Sequence, residues 1–310
     1  MSGIHEDYES FLERNPDTDL PIAAVAALVE VMKRSKSELV FEFVLELRTA
    51  MDELSSKVPH VTPVALKATC ELFLLYITRF ANEGSGELAP IKSVLVEKGE
   101  MIVELSKKTR KRISEVGRTF IHDAAVILTH GKSTVVLDLL ARAAETKNFS
   151  VLVAEGRPGC EGYEMAQALL TRGIPVSMVL DSAVASVMDR VDCVLVGAEV
   201  VLEHGGIVNN LGTFQIALMA KEFDKPFFVA VESYKFSRFF PLTQRDVPAA
   251  LEFKYNPVTS AKVLLPPGAD VSINAASDLT PPRLINLLFT DIGVFTPSAI
   301  SDELTKMYQQ

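Results

Sequence analysis

Between Tyr8 and about His122 the apolar residues recur at three- and four-residue spacing, with none of the sustained alternation a half-buried strand needs. Ile22, Val25, Leu28, Val29 and Met32 form one stripe. Phe41, Val44, Leu45, Leu47, Met51 and Leu54 mark a second helix, and Ala65, Leu66, Leu72, Phe73, Tyr76 and Ile77 a third. Gly84-Ser-Gly-Glu87 supplies a turn before a further helix through Ile91, Val94, Leu95, Met101 and Leu105. The pattern predicts an all-helical N-terminal domain over residues 1–122.

After His122 the pattern changes to short β-branched runs alternating with helical segments. The runs are Ala125–Thr129, Ser150–Ala154, Val176–Leu180, Cys193–Val196 and Phe227–Val231; the helices lie near Ser133–Thr146, Gly162–Thr171, Ala183–Asp189 and Phe214–Phe223. Continuous apolar strands separated by helices are what a parallel sheet covered on both faces requires. Residues 123–310 are therefore predicted to form a Rossmann-like α/β domain with a mostly parallel sheet. Ligands of such sheets sit outside the carboxyl ends of the strands, so the residues after each run are the candidates for chemistry.

Composition narrows the function classes. Of 310 residues, 31 are Lys or Arg and 40 Asp or Glu, a formal net charge of −9 that argues against a nucleic-acid partner. The basic run Lys107–Arg112 is isolated in this acidic background and reads as a solvated face or partner contact before a phosphate site. No apolar run is long enough to span a bilayer, since Glu30 interrupts even Pro21–Met32, and the acidic start lacks a signal-type apolar region. Cys70, Cys160 and Cys193 show no CxxC spacing, so neither a disulfide framework nor a metal site is expected. A cytoplasmic protein is the expectation.

The strand ends are rich in polar residues: Thr129-His-Gly-Lys-Ser-Thr134, Glu155-Gly-Arg-Pro158, Asp181-Ser182, Gly197-Ala-Glu199 and Glu232-Ser-Tyr-Lys235. Polar βα loops occur in any doubly wound protein, so this alone does not define a site. Gly131-Lys132-Ser133 is not a P-loop, because the glycine required five residues earlier is Val126, and no G-x-G-x-x-G opens a helix. Lys132, Ser133 and Thr134 nevertheless open a helix, whose free N–H groups suit an anion, with a simple Ser/Thr cap as the alternative. Asn209, Asn210, Gly212 and Thr213 stand at a second helix start after a Gly205-Gly206 turn and invite the same reading.

Several segments resemble the regulatory-subunit family of eukaryotic translation initiation factor 2B, and its alpha branch in particular, which lacks the long N-terminal extensions of beta and delta relatives. They are Ile127–His130, Gly197-Ala-Glu199, Gly206–Thr213, Pro226–Ser233, Lys235–Leu242, Asp246-Val-Pro248 and Leu288–Ser301. The resemblance runs over nearly the whole chain. It implies a regulatory subunit of a guanine nucleotide exchange factor whose catalytic domain lies in the epsilon subunit. It also implies a homodimer bridging beta, gamma, delta and epsilon subunits, and a role in inhibition by phosphorylated initiation factor 2 through that factor's alpha subunit. Leu287, Leu288, Phe289, Val294 and Phe295 fit a buried dimer interface or a plain core equally well, and Lys33, Arg34 and Lys107–Arg112 are places to look for phosphoserine recognition, with solvated helix surface the first account of any single one.

The same superfamily contains isomerases of methylthioribose 1-phosphate and ribose 1,5-bisphosphate. There a catalytic cysteine follows the strand that here ends at His130, and a catalytic aspartate sits in Gly-Ala-Asp. This chain resembles them with Gly131 and Glu199 at those places. Glycine offers no acid-base group, and an added methylene displaces a proton relay, so the resemblance implies lost catalysis. Asn209-Asn210 replaces the usual Asn-Lys, and no Arg-Gly phosphate arm is found near Leu20–Val25. His130, Lys132, Ser133, Thr134, Arg157, Glu199, Asn209, Asn210, Gly212, Thr213 and Lys235 remain as a pocket for phosphate or a sugar phosphate, with no other cofactor. Cys160 reads as a loop residue. A working sugar-phosphate isomerase is the alternative, and a dinucleotide-binding dehydrogenase is disfavoured by the missing glycine fingerprint.

Overall fold

The computed structural model describes residues 3–15, 18, 20–57, 88–157, 159–246 and 277–309. The expected helix through Ala65–Ile77, the turn at Gly84, Cys70, Pro158 and the Val247-Pro248 part of one motif lie outside the described residues. Two compact units divide between Thr109 and Arg110, within a long helix, whereas the sequence pattern changes only at His122.

The first unit holds helices α1 (Ile4–Arg14), α2 (Leu20–Arg34), α3 (Val40–Lys57) and most of α4 (Leu88–Gly117). α2 is apolar almost all round and is buried accordingly, from Pro21 to Met32. α1 lays Ile4 and Tyr8 against it, and burial pushes the Tyr8 hydroxyl up to about 12. On α3 the buried stripe is Phe43, Leu47, Ala50, Met51 and Leu54, while Phe41 and Leu45 are exposed. This corrects the expected stripe: a step of two residues turns a helix by about 200°, so Phe41 and Phe43 face opposite ways. Lys33 and Arg34 are not a free basic pair between helices. They form the last turn of α2, where Lys33 Nζ lies 2.8 Å from both Glu30 and Glu100 and Arg34 Nη1 donates to Asp7 at 2.8 Å. The run Lys107–Arg112 winds round α4, with Arg110 buried near Asp138 while Lys108, Lys111 and Arg112 are exposed, so helical rotation disperses it.

The second unit is built on a seven-stranded sheet in the order β11-β10-β7-β4-β1-β2-β3. β1 (Val126–His130), β2 (Ser150–Ala154), β3 (Val176–Val179), β4 (Cys193–Val196), β7 (Phe227–Ala230) and β10 (Leu287–Phe289) are parallel, and only β11 (Val294–Phe295) is antiparallel. Helices α5 (Thr134–Ala144), α6 (Glu161–Thr171), the single turn α7 (Val184–Val187) and α8 (Thr213–Glu222) connect them, and α9 (Ile300–Gln309) ends the chain. This is the helical-plus-α/β architecture read from the pattern.

A second, four-stranded sheet was not foreseen. It has the order β8-β5-β6-β9, with β5 (Val200–Leu202) and β6 (Ile207–Asn210) forming an antiparallel hairpin across Gly205. β8 (Phe236–Ser237) pairs parallel with β5, and β9 (Ser277–Thr280) antiparallel with β6. Of the C-terminal apolar residues, two belong to the core of the unit and three keep part of their surface exposed. Leu288 and Phe289 are fully buried inside the unit, Phe289 stacking on Phe120 at 4.7 Å, while Leu287, Val294 and Phe295 pack half-buried on the same cores.

Candidate functional site

The strand order reverses around β1: β2 and β3 continue to one side, β4 and β7 lie on the other. A ligand crevice belongs at the carboxyl ends of the strands flanking such a switch point. His130, the last residue of β1, is buried there, and its Nε2 lies 2.9 Å from the carbonyl of Leu211. A carbonyl only accepts, so Nε2 carries the proton and Nδ1 presents a lone pair, 3.8 Å from Asp181 Oδ1 and without a hydrogen bond. Burial lowers the His130 pKa, against the opposing pull of Asp181 and the Leu211 bond.

Gly131 follows in a left-handed conformation (φ +60°), where a Cβ would stand 3.1 Å from Asn210 Nδ2. That amide donates to Glu161 Oε2 at 2.8 Å. The next loop presses in from the other side, Asp181 accepting the N–H groups of Gly156 and Arg157 at 3.0 and 2.6 Å. His130, Gly131 and Asn210 are thus brought together with Gly212, Glu161 and Asp181.

Other expected residues have local duties. Ser133 is the N-cap of α5, accepting from Val136 N at 3.5 Å, and Thr134 opens that helix. Lys132 pairs with Glu164 at 2.7 Å on the surface. Arg157 Nε lies 3.1 Å from Glu155. Asn209 is buried in β6, not in a turn, and donates to Thr213 Oγ1 at 3.0 Å, while that hydroxyl donates to Asn210 O at 2.7 Å. Glu199 accepts from Ser277 Oγ at 3.3 Å. Lys235 and the buried Glu232 form a pair at 2.8 Å beyond β7. Cys160 is the left-handed residue capping α6, and burial pushes the Cys193 thiol up to about 12, out of reach of chemistry at neutral pH.

Two of the N–H groups expected to face an external anion at the head of α8 are occupied from within the chain. Asp278 of β9 accepts from Gly212 N at 2.7 Å and from Phe214 N at 3.1 Å. Sequence reasoning missed Asp278 and Glu161, and also the partners of Asp181. A capping aspartate 66 residues from the helix it caps leaves no local spacing to read.

The Asp278 carboxyl is pushed up to about 7, first by burial, against the bonds from Phe214 and Gly212, with Glu199 adding to the rise. Its ordinary value is 3.8, so between there and about 7 the folded chain holds a proton the unfolded chain has released. That stabilisation is present at low pH and lost as the pH rises through about 7. His130 acts oppositely, its contribution being present above the ordinary 6.5 and lost as the pH falls. Between about pH 6.5 and 8 the Asp278 share is therefore expected to lower the thermal midpoint against the rise that His130 contributes, and Asp278→Asn to remove that share. Scanning calorimetry reads both, and an equally steep slope in the variant would assign the effect elsewhere.

Among the described residues no helix is long and apolar enough to cross a membrane. The profile of the Initiation factor 2 subunit family matches residues 13–297. A Dictyostelium discoideum protein named Translation initiation factor eIF2B subunit alpha is 39% identical over 306 residues, 97% of this chain and 95% of that protein. Ribose 1,5-bisphosphate isomerase of Archaeoglobus fulgidus is 30% identical over 275 residues, 88% of this chain and 83% of that protein. A solved chain of the tetrameric eIF2B-beta2-delta2 complex from C. thermophilum superimposes with a TM-score of 0.76 at 22% identity, covering 99% of this chain and 96% of that one, and so shares the fold.

Proposed function

The chain belongs to the Initiation factor 2 subunit family, and on that premise we propose that it serves as the regulatory alpha subunit of the guanine nucleotide exchange factor for translation initiation factor 2. It carries no exchange activity itself. As a homodimer in the cytoplasm it bridges two sets of beta, gamma, delta and epsilon subunits, and it helps phosphorylated initiation factor 2 act as an inhibitor through that factor's alpha subunit. The observation that carries this reading is the 39% identity, over nearly the full length of both chains, to a protein named as that subunit.

The cleft at the end of β1 is a vestige of sugar-phosphate chemistry in this reading. Gly131 stands where the resemblance places the isomerases' thiol, and its conformation and the nearby Asn210 amide leave no unstrained place for a side chain. Gly131→Cys is accordingly expected to lose about 1–2 kcal/mol of stability through backbone strain. It is also expected to gain no turnover of ribose 1,5-bisphosphate or methylthioribose 1-phosphate, followed by NMR.

Affinity purification of the tagged chain from its own cells tests the assembly. Recovery of the beta, gamma, delta and epsilon subunits is expected. Isolation of a lone homodimer at gentle salt, together with turnover of either sugar phosphate that Glu199→Gln abolishes, would establish the isomerase instead.

A further inference from the structure

The turn Asn210–Thr213 joins β6 to α8 and forms one wall of the cleft. Two buried titratable groups grip it. From β1, Nε2 of His130 donates to Leu211 O at 2.9 Å, and its ring lies where a Cβ on Gly212 would be 3.1 Å away. From β9, Asp278, only 6% exposed, accepts Gly212 N on Oδ2 at 2.7 Å and Phe214 N on both oxygens at 3.1 Å. We infer that Asp278 is a proton-operated latch: ionised, it holds this turn tight at the head of α8, and on taking up a proton it slackens the cleft wall.

The chemistry follows from which oxygen is free to change. Gly212 N–H reaches only Oδ2, whereas Phe214 N–H is shared, so a proton on Oδ1 leaves both amides on Oδ2. Their bonds pass from charge-assisted to neutral, about half as strong, and the positive end of α8 loses its resident anion. The wall then loosens without breaking. Among the described residues the titratable neighbours are few. Glu199, ahead of β5, raises the carboxyl's proton affinity, and His130 faces the turn from the far side. From β6 come only Asn209 and Asn210, and the first turn of α8 offers Thr213, Phe214 and Gln215, none of which titrates. Gln244 holds the backbone of β9 at Leu279 N, 2.8 Å, beside Arg245 and Asp246, and the Asp246 carboxylate is occupied by Leu242 and Thr243. Burial sets the latch to work near pH 7.

As a control on anion entry the latch rests on the reading of the cleft as an anion pocket, but its own operation does not. The full chain labelled with ¹⁵N-glycine, ¹⁵N-phenylalanine and ¹³C-aspartate is titrated by NMR from about pH 5.5 to 8.5, with and without sulfate, an anion that does not itself titrate in that range. The Gly212 and Phe214 amides are expected to shift together with one midpoint near neutrality, matched by the Asp278 carboxyl carbon, and to be flat in Asp278→Asn. Amides that stay constant in the unmodified chain, or follow a midpoint the Asp278 carbon does not share, overturn the latch. The wild-type carbon signal decides this even where the variant fails to fold. Sulfate that moves neither amide at any pH removes the anion-cleft reading and leaves a confirmed titration standing.

Discussion

Gly205→Ala is expected to destabilise the α/β unit by about 2–5 kcal/mol, a large loss for the addition of one methyl group. The residue turns the β5–β6 hairpin at φ +83°, and a Cβ there would lie 2.1 Å from the carbonyl oxygen of Pro297 and 2.5 Å from its carbon. Left-handed backbone costs a residue with a side chain about 1–2 kcal/mol, and forcing a methyl into packed backbone adds about 1–3. The obstacle cannot rotate away, because it is main chain in the turn that leads into α9. A fall of roughly 10 °C in the thermal midpoint follows for a unit of this size. Gly173→Ala separates the two causes: its φ is +75° but nothing lies within 4 Å, so only the backbone cost remains. Equal losses for the two variants would show that the Pro297 contact relaxes freely.

Lys235→Met should be nearly as damaging. The Glu232 side chain is wholly buried, and Nζ of Lys235, a side chain only 11% exposed, lies 2.8 Å from its Oε2. Two charges taken out of water roughly repay their desolvation only as a pair, and removing one partner of a buried pair costs about 3–5 kcal/mol. The thioether keeps the volume of the lysine stem, so the loss reports charge and not a cavity. Adding Glu232→Gln is expected to restore most of the stability, since the buried carboxylate's charge is then gone. Urea denaturation of the two singles and the double gives the coupling energy, and additive losses would show that Lys235 acts independently of Glu232. The outcome also bears on the cleft, because a lysine committed to Glu232 is a poorer phosphate cation than its position after β7 implied.

The parts of the fold that were legible share a physical reason. β1, β2, β4 and β7 lie inside a sheet covered on both faces, so each is a short, β-branched apolar run, too brief for a helix and bounded by polar residues. α2 and α3 were legible as helices, yet the face α3 buries was misread, because Phe41, Phe43, Val44 and Leu45 are all apolar and composition cannot say which of them meet the core. The second sheet left almost no trace. β8 has two residues and β5 three, and β9 reads Ser-Asp-Leu-Thr, whose burial comes from its partners and not from its hydrophobicity.

The candidate site divides the same way. His130 and Gly131 could be marked because loops after parallel strands must surround any crevice the sheet makes, and Asn210 and Gly212 because they stand at the start of a helix. What they face could not. Asp278, Asp181 and Glu161 reach them across wide gaps in the chain, so carboxylates supplied from within occupy N–H groups that looked available to a ligand.

The order of residues alone was enough for the two-part architecture, the parallel strands and the family, because each depends on short-range periodicity or on which residues are present. Folding in three dimensions settled which apolar face is covered, that Ser133 and Asp278 stand at the heads of α5 and α8, and that the Asp278 carboxyl is buried, which raises its proton affinity. Those properties belong to pairs of distant residues and to the water excluded between them, which no local stretch of sequence contains.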